Sequence, residues 1–186
     1  MKIIVTGFEP FGGAEKNVSW EAVKNLEGTE RVLLPVSFTK ADRIVRSLAA
    51  SGPDLILCVG EAGGRDKISL ERIAVNLQDA RIPDNDGFQP RDLPVREGGP
   101  AAYFSALPLR PLLFALEARE IPAELSCTAG TYVCNTVFYA LMDELALRGL
   151  SCPAGFIHVP ARDMDPARIQ TGLKEVLRVA QAGVSW

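Results

Sequence analysis

Short apolar runs alternate with amphipathic stretches along the whole of this chain, and that alternation restricts the fold more than any other feature. The runs are Lys2 to Thr6, Arg31 to Pro35, Asp54 to Val59, Ile73 to Leu77, Ala123 to Cys127 and Gly155 to Val159. In DLILCV above all, successive positions are apolar, which marks a strand buried on both faces. Between the runs, apolar residues fall at helical spacing: Trp20, Val23 and Leu26 after Ser19, then Ala41 to Ala50, then Leu112, Leu113 and Leu116, and finally Ile169, Leu173, Val176, Leu177 and Ala180. Thr39 and Asp42 have capping-box spacing before the second stretch, and Asp165-Pro166 sets a cap and a first-turn proline before the last. Strands and helices in this order predict an α/β/α sandwich with a twisted, largely parallel sheet, residues 1–186 forming one domain without repeat or linker.

With 186 residues, 47% of them hydrophobic and 23% charged, the chain has material for one such core. Its net charge of −3 comes with basic residues scattered along the chain, so it offers no footprint for nucleic acid or an anionic membrane. No apolar run approaches a membrane span, and the N-terminal residues lack the pattern of a signal peptide. The cysteines at 58, 127, 134 and 152 have neither metal-ligand spacing nor the density of a disulfide scaffold. These features predict a cytoplasmic protein with no metal and no cofactor. The oligomeric state is left open, a homo-oligomer included. Asn17-Val18-Ser19 matches a glycosylation sequon, which has meaning only under secretion.

Chemistry concentrates around Gly130-Thr131-Tyr132-Val133-Cys134-Asn135. The Ala123 to Cys127 run ends in small residues, and then Cys134, Phe138, Leu141 and Leu145 recur on one face of a helix. That places the sulfur in the first helical turn, where unpaired N–H groups and the dipole's positive end converge. The expectation is an acidified thiol, with N–H groups at hand to stabilise an oxyanion. Most cysteines are small buried hydrophobes, however, so this one needs a partner. The chain has a single histidine, His158, inside the apolar run GFIHVP. In a parallel sheet the turn before Cys134 and the end of the His158 strand share the C-terminal edge, and a base beside a helix-terminal thiol is what acyl transfer requires. A third group must orient the ring; Glu71, Asp79, Asp84 and Asp86 are candidates among which spacing does not choose.

Three loops complete the picture. Gly7 to Gly13 holds three glycines and the rings of Phe8 and Phe11 without phosphate-loop spacing, so it reads as an apolar pocket wall or equally as a cap on the core. Gly60 to Gly64 follows a strand at the edge where open α/β sheets place their sites. Gln78 to Gly99 is long and polar, a length more often functional than idle.

Seven collinear segments, TGFEPFGG from Thr6, AGGR from Ala62, ER-x-A-x-N from Glu71, ARIPDN from Ala80, GGPAAY from Gly98, TAGTYVCN from Thr128 and GFIHVP from Gly155, resemble the pyroglutamyl peptidase I (pyrrolidone carboxyl peptidase) family of cysteine peptidases. The resemblance runs nearly end to end. It implies an enzyme that removes N-terminal pyroglutamate from peptides by thiolate attack and a thioester acyl-enzyme, with Cys134 as nucleophile, His158 as base and Glu71 as the acid. It also implies that Phe8 and Phe11 line the lactam pocket, that backbone groups near Val133 hold the ring, and that Arg81 lies close to the reacting carbonyl. Three positions depart from the pattern: Glu61 stands for a common glutamine, Tyr132 for phenylalanine and Val18 for proline. A carboxylate at 61 facing a neutral lactam would be poorly paired, so it should point away or be neutralised by Arg65 or Arg81. The competing readings are a phosphorylase-like or amidase activity on the same scaffold and a small-molecule binding domain with an inert cysteine.

Overall fold

The computed structural model describes residues 1–162 and 164–182. Among the described residues eight strands and five helices follow one another as β1 (Ile3–Phe8), α1 (Val18–Val23), β2 (Glu30–Leu34), α2 (Phe38–Ala50), β3 (Leu55–Ala62), β4 (Ile68–Glu71), β5 (Ile73–Val75), β6 (Ala102–Phe104), α3 (Leu109–Glu117), β7 (Ala123–Ser126), α4 (Val133–Arg148), β8 (Ala154–Pro160) and α5 (Pro166–Ala182). Six strands form the central sheet in the order β2-β1-β3-β8-β4-β7. β2, β1, β3 and β8 are mutually parallel, whereas β4 runs antiparallel to β8 and carries β7 parallel to itself. The expected α/β/α sandwich with a largely parallel sheet is what forms. Among the described residues no helix is long and apolar enough to cross a membrane.

Side chains of a strand alternate between faces, and here the alternation sorts the core into two layers. Ile4, Phe8, Ile56, Cys58 and Phe156 pack with α2 and α4, whereas Ile3, Val5, Leu55, Leu57, Val59, Ile157 and Val159 pack with α1, α3 and α5. His158 follows Phe156 by two and therefore faces the α4 layer. Gly60 does the same two residues after Cys58, and Glu71 lies on that side because Ile68 and Leu70 point to the other.

Several local expectations need correction. α2 starts at Phe38, capped by Ser37, whose hydroxyl accepts from the Lys40 N–H, so Thr39 and Asp42 lie inside the helix and Asp42 instead pairs with Arg46 one turn on. α1 is capped by Asn17, which accepts from Ser19 N–H; at 3% exposure that side chain is the cap and no glycan acceptor. Ile73 to Leu77 does not join the central sheet. Its first three residues, β5, pair with β6 in a separate two-stranded ribbon packed on α4. The ribbon explains why α4 is buried on most of its surface rather than along one face, polar Asn135, Thr136 and Asp143 included. Each finds partners: Asn135 accepts from Val75 N–H and donates to the Val75 and Leu77 carbonyls, and Thr136 accepts from Gln78. α4 then stops at Gly149, whose φ of 63° is the left-handed conformation of a C-terminal cap.

Candidate active site

β8, β4 and α4 each deliver one side chain to the same place. His158 Nδ1 lies 2.8 Å from Glu71 Oε1 across the β4–β8 pairing, and both residues are buried, Glu71 completely. Cys134 is the second residue of α4, so the first-turn position expected from sequence is the one observed. Its sulfur rests over the backbone of Gly60, the residue paired with His158 on β3: a methyl group at Gly60 would stand 2.8 Å from Sγ and 2.7 Å from the Phe156 ring. Only glycine lets the helix N-terminus come this close to the sheet. Tyr132, the residue capping α4, makes no side-chain capping bond, which leaves the first-turn N–H groups to other acceptors.

The route to this arrangement differs from the expected one. The turn before Cys134 was to lie with the end of β8 along one parallel edge, yet β7 runs opposite to β8, with Ser126 paired to Glu71. The segment from Cys127 to Tyr132 therefore has to carry the chain from beside Glu71 to the α4 face.

The thiol itself is not acidified. Burial, then the Glu71 carboxylate, with Cys58 and Glu61 adding to them, push Cys134 from an ordinary 9.0 up to about 12, against which Arg65 pulls down. That rise disfavours the thiolate by roughly 4 kcal/mol, whereas a helix N-terminus supplies up to about 2 kcal/mol in favourable geometry. Burial and the neighbouring carboxylates thus work against the thiolate more than the helix terminus favours it.

Cys134 and His158 open into a cavity of about 200 Å³ whose apolar walls are Phe8, Phe11, Tyr132 and Val133. Phe8 serves both of the roles sequence left open. It belongs to the core and lines the cavity, 6.3 Å from Phe156, while Phe11 packs on Tyr132 at 6.2 Å. Glu61 also lines the cavity, and among the described residues it forms no salt bridge with an arginine; its Oε2 accepts from the Val18 N–H at 2.6 Å, in the first turn of α1. Arg81 does not reach this cavity. It is exposed and lines an adjoining one with Asp79, Ile82 and Tyr132.

The other candidates for the third group are occupied elsewhere. Asp79 pairs with Arg91 and Asp86 with Lys40, while Asp84 accepts from the N–H groups of Phe38, Asp86 and Phe88. Their long loop instead props the pocket. Asn85 donates to Glu9 and to the Pro10 carbonyl, and Tyr132 to the Pro83 carbonyl. Two residues escaped sequence reasoning in their present roles. Gly60 ends an apolar strand, a signal that pointed to the edge but not to the sulfur above it. Arg65, which donates to Glu71 at 2.5 Å, entered the sequence reading only as the end of the AGGR segment and as a counter-charge for Glu61.

Comparison with known proteins finds one family model, pyroglutamyl peptidase, matching residues 1–170. The pyrrolidone-carboxylate peptidase of Thermococcus onnurineus is 44% identical over 96% of this chain and 94% of its own, and that of Brevibacillus brevis is 47% identical over 89% and 81%. Among solved structures, pyroglutamyl peptidase I of Bacillus amyloliquefaciens superposes with a TM-score of 0.93 at 41% identity, covering 97% of each chain. Pyrrolidone carboxyl peptidase of Pyrococcus furiosus does so with 0.94 at 38%, covering 99% of this chain and all of that one.

Proposed function

This chain belongs to the pyroglutamyl peptidase family, and from that membership and the cavity's geometry we propose how its residues remove N-terminal pyroglutamate from peptides. The lactam ring enters between Phe8, Phe11 and Tyr132, with Val133 beneath it. His158 acts as general base toward the Cys134 thiol, whose ionisation burial and the Glu71 carboxylate oppose. The S–C bond forms as the proton passes to the imidazole, and the carbonyl oxygen takes the negative charge beside the N–H groups of the first turn of α4. The imidazolium, held by Glu71, then gives that proton to the leaving amine as the C–N bond breaks. Water, deprotonated by the same ring, hydrolyses the thioester and returns the thiol. The observation that supports these roles best is the Glu71–His158 contact lying on the sheet face where Cys134 sits over Gly60.

Pyroglutamate is a neutral ring with one donor and one acceptor on its edge. Proline brings a cation instead, and a charge entering an apolar slot is costly unless paired. The one carboxylate on the cavity wall, Glu61, is already engaged by a helix N–H, which supports rejection of prolyl substrates. We expect kcat/KM for a pyroglutamyl amide to exceed those for prolyl and glutaminyl amides by at least roughly 10³-fold. Steady-state rates on the three amides test this; comparable prolyl and pyroglutamyl values would sink the lactam reading.

A further inference from the structure

Arg65 stands in the turn between β3 and β4, outside the three residues that handle the substrate. One arm of its guanidinium, Nη1, donates to Glu71 Oε1 at 2.5 Å, the same oxygen that meets His158 Nδ1 at 2.8 Å. The other, Nη2, donates to the Thr128 carbonyl at 2.7 Å, in the segment that leads into α4 and Cys134. Glu71 is fully buried and its second oxygen, Oε2, has no partner among the described residues. The titratable and charged groups beside it include His158 from β8, Arg65 from the β3–β4 turn and Cys134 from α4. A fully buried carboxylate needs a permanent counter-charge, because the imidazole is charged for only part of the cycle. Among the described residues Arg65 is the only permanent cation in contact with it.

Resting on the catalytic roles given above, we propose that Arg65 is a positioning residue, one arm fixing the Glu71 carboxylate against His158 and the other pinning the loop that delivers Cys134. A lysine could supply the charge. It could not make both contacts at once, because they use the planar fork of the guanidinium. Arg65 also lines the cavity, so a substrate-binding role is the alternative to be separated.

The test compares Arg65→Gln and Arg65→Lys with wild type and repeats Arg65→Gln in a Glu71→Gln background. Arg65→Gln should lower kcat roughly 10- to 100-fold, short of the ~10⁴-fold loss that follows disabling a triad's orienting carboxylate, with KM changed less than about threefold. The acid limb of its kcat/KM profile should move to higher pH, since losing a nearby cation makes the His158–Glu71 pair easier to protonate. Arg65→Lys should recover the profile and only part of kcat. In the Glu71→Gln background the same substitution should cost clearly less than in wild type, the remainder being the lost contact to Thr128, as expected of a residue acting largely through another.

A substrate-independent reading comes from the sole histidine. Its Nδ1–H resonance should be protected from exchange in wild type and Arg65→Lys and be lost in Arg65→Gln. A raised KM at unchanged kcat, equal losses in both backgrounds, or an intact Nδ1–H signal in a folded Arg65→Gln protein would each overturn the proposal. A wild type inactive on pyroglutamyl amides would refute the assigned reaction while leaving the resonance test of Arg65 in force.

Discussion

Two buried carboxylates sit among arginines on the α4 side of the sheet, and their surroundings differ in a way that separates function from framework. Asp143 is fully buried and saturated: Arg96 Nε reaches both oxygens at 2.9 Å, Arg46 donates to one at 2.8 Å and the Tyr103 hydroxyl to the other at 2.8 Å. These donors come from α2, β6 and the long loop, so the cluster binds three elements to α4. Glu71 is equally buried, yet one of its oxygens meets both Arg65 and His158 while the other has no partner among the described residues, and both of those partners line a cavity. A saturated carboxylate holds structure together. One left with spare capacity beside a titratable ring has an electrostatic task that changes during a reaction.

The largest effects should come from the atoms that react. Cys134→Ser and His158→Ala are each expected to lower kcat by roughly 10⁴-fold or more while melting temperature barely moves; a folded Cys134→Ser protein with wild-type turnover would remove the thiol from the mechanism. The two carboxylates should then divide cleanly. Glu71→Gln should cost roughly 10²- to 10⁴-fold in kcat with stability changed by about 1 kcal/mol or less. Asp143→Ala, which takes the carboxylate partner from Arg96 and one of the carboxylate partners from Arg46, should cost about 3 kcal/mol of stability and leave kcat per folded molecule within about threefold. Urea titration beside active-site-normalised kinetics decides it, and reversed effects would break the comparison.

A smaller change tests the close approach at the site. Gly60→Ala should displace the sulfur or the Phe156 ring and lower kcat roughly 10²-fold, as misplacement by about 1 Å does, although the new methyl adds no charge and removes no hydrogen bond. Unchanged kinetics would mean that α4 can shift at no cost.

The smallest effect concerns acid stability. Burial opposes ionisation of Asp143, but hydrogen bonds from Arg46, Arg96 and Tyr103 outweigh it and hold its carboxyl below the ordinary 3.8. A carboxyl depressed in the folded state stabilises it fully above the unfolded value, and the benefit drains away as pH falls through the folded one. Unfolding free energy should thus fall below about pH 3.8 in wild type and fall less steeply in Asp143→Asn. Parallel acid titrations would contradict this.

Local pattern carried much of the molecule. The apolar runs of β1, β3 and β8 and the helical spacing of α5 follow from propensity and burial, which act over a few neighbouring residues. Helix position singled out Cys134 and the lone strand histidine singled out His158, while the choice of Glu71 among four carboxylates came from motif resemblance alone. β4 escaped because four residues, Ile-Ser-Leu-Glu, are too short to stand out, although their alternation carries the Glu71 carboxylate to the α4 face. The β5–β6 ribbon escaped because its strands are separated by the long loop, and no local signal specifies a pairing at that distance.

By itself, then, the sequence determined the layers of the sandwich, the helix-terminal place of Cys134 and the strand that carries His158. Tertiary structure decided the reversed direction of β4 and β7, the seat of the sulfur over Gly60, the grip of Arg65 on Glu71 and the raised affinity of the thiol for its proton. Each of these depends on distances between residues remote in the chain. A thiol's helix position is a local property, whereas the water it has lost and the charges it meets are set by what packs around it.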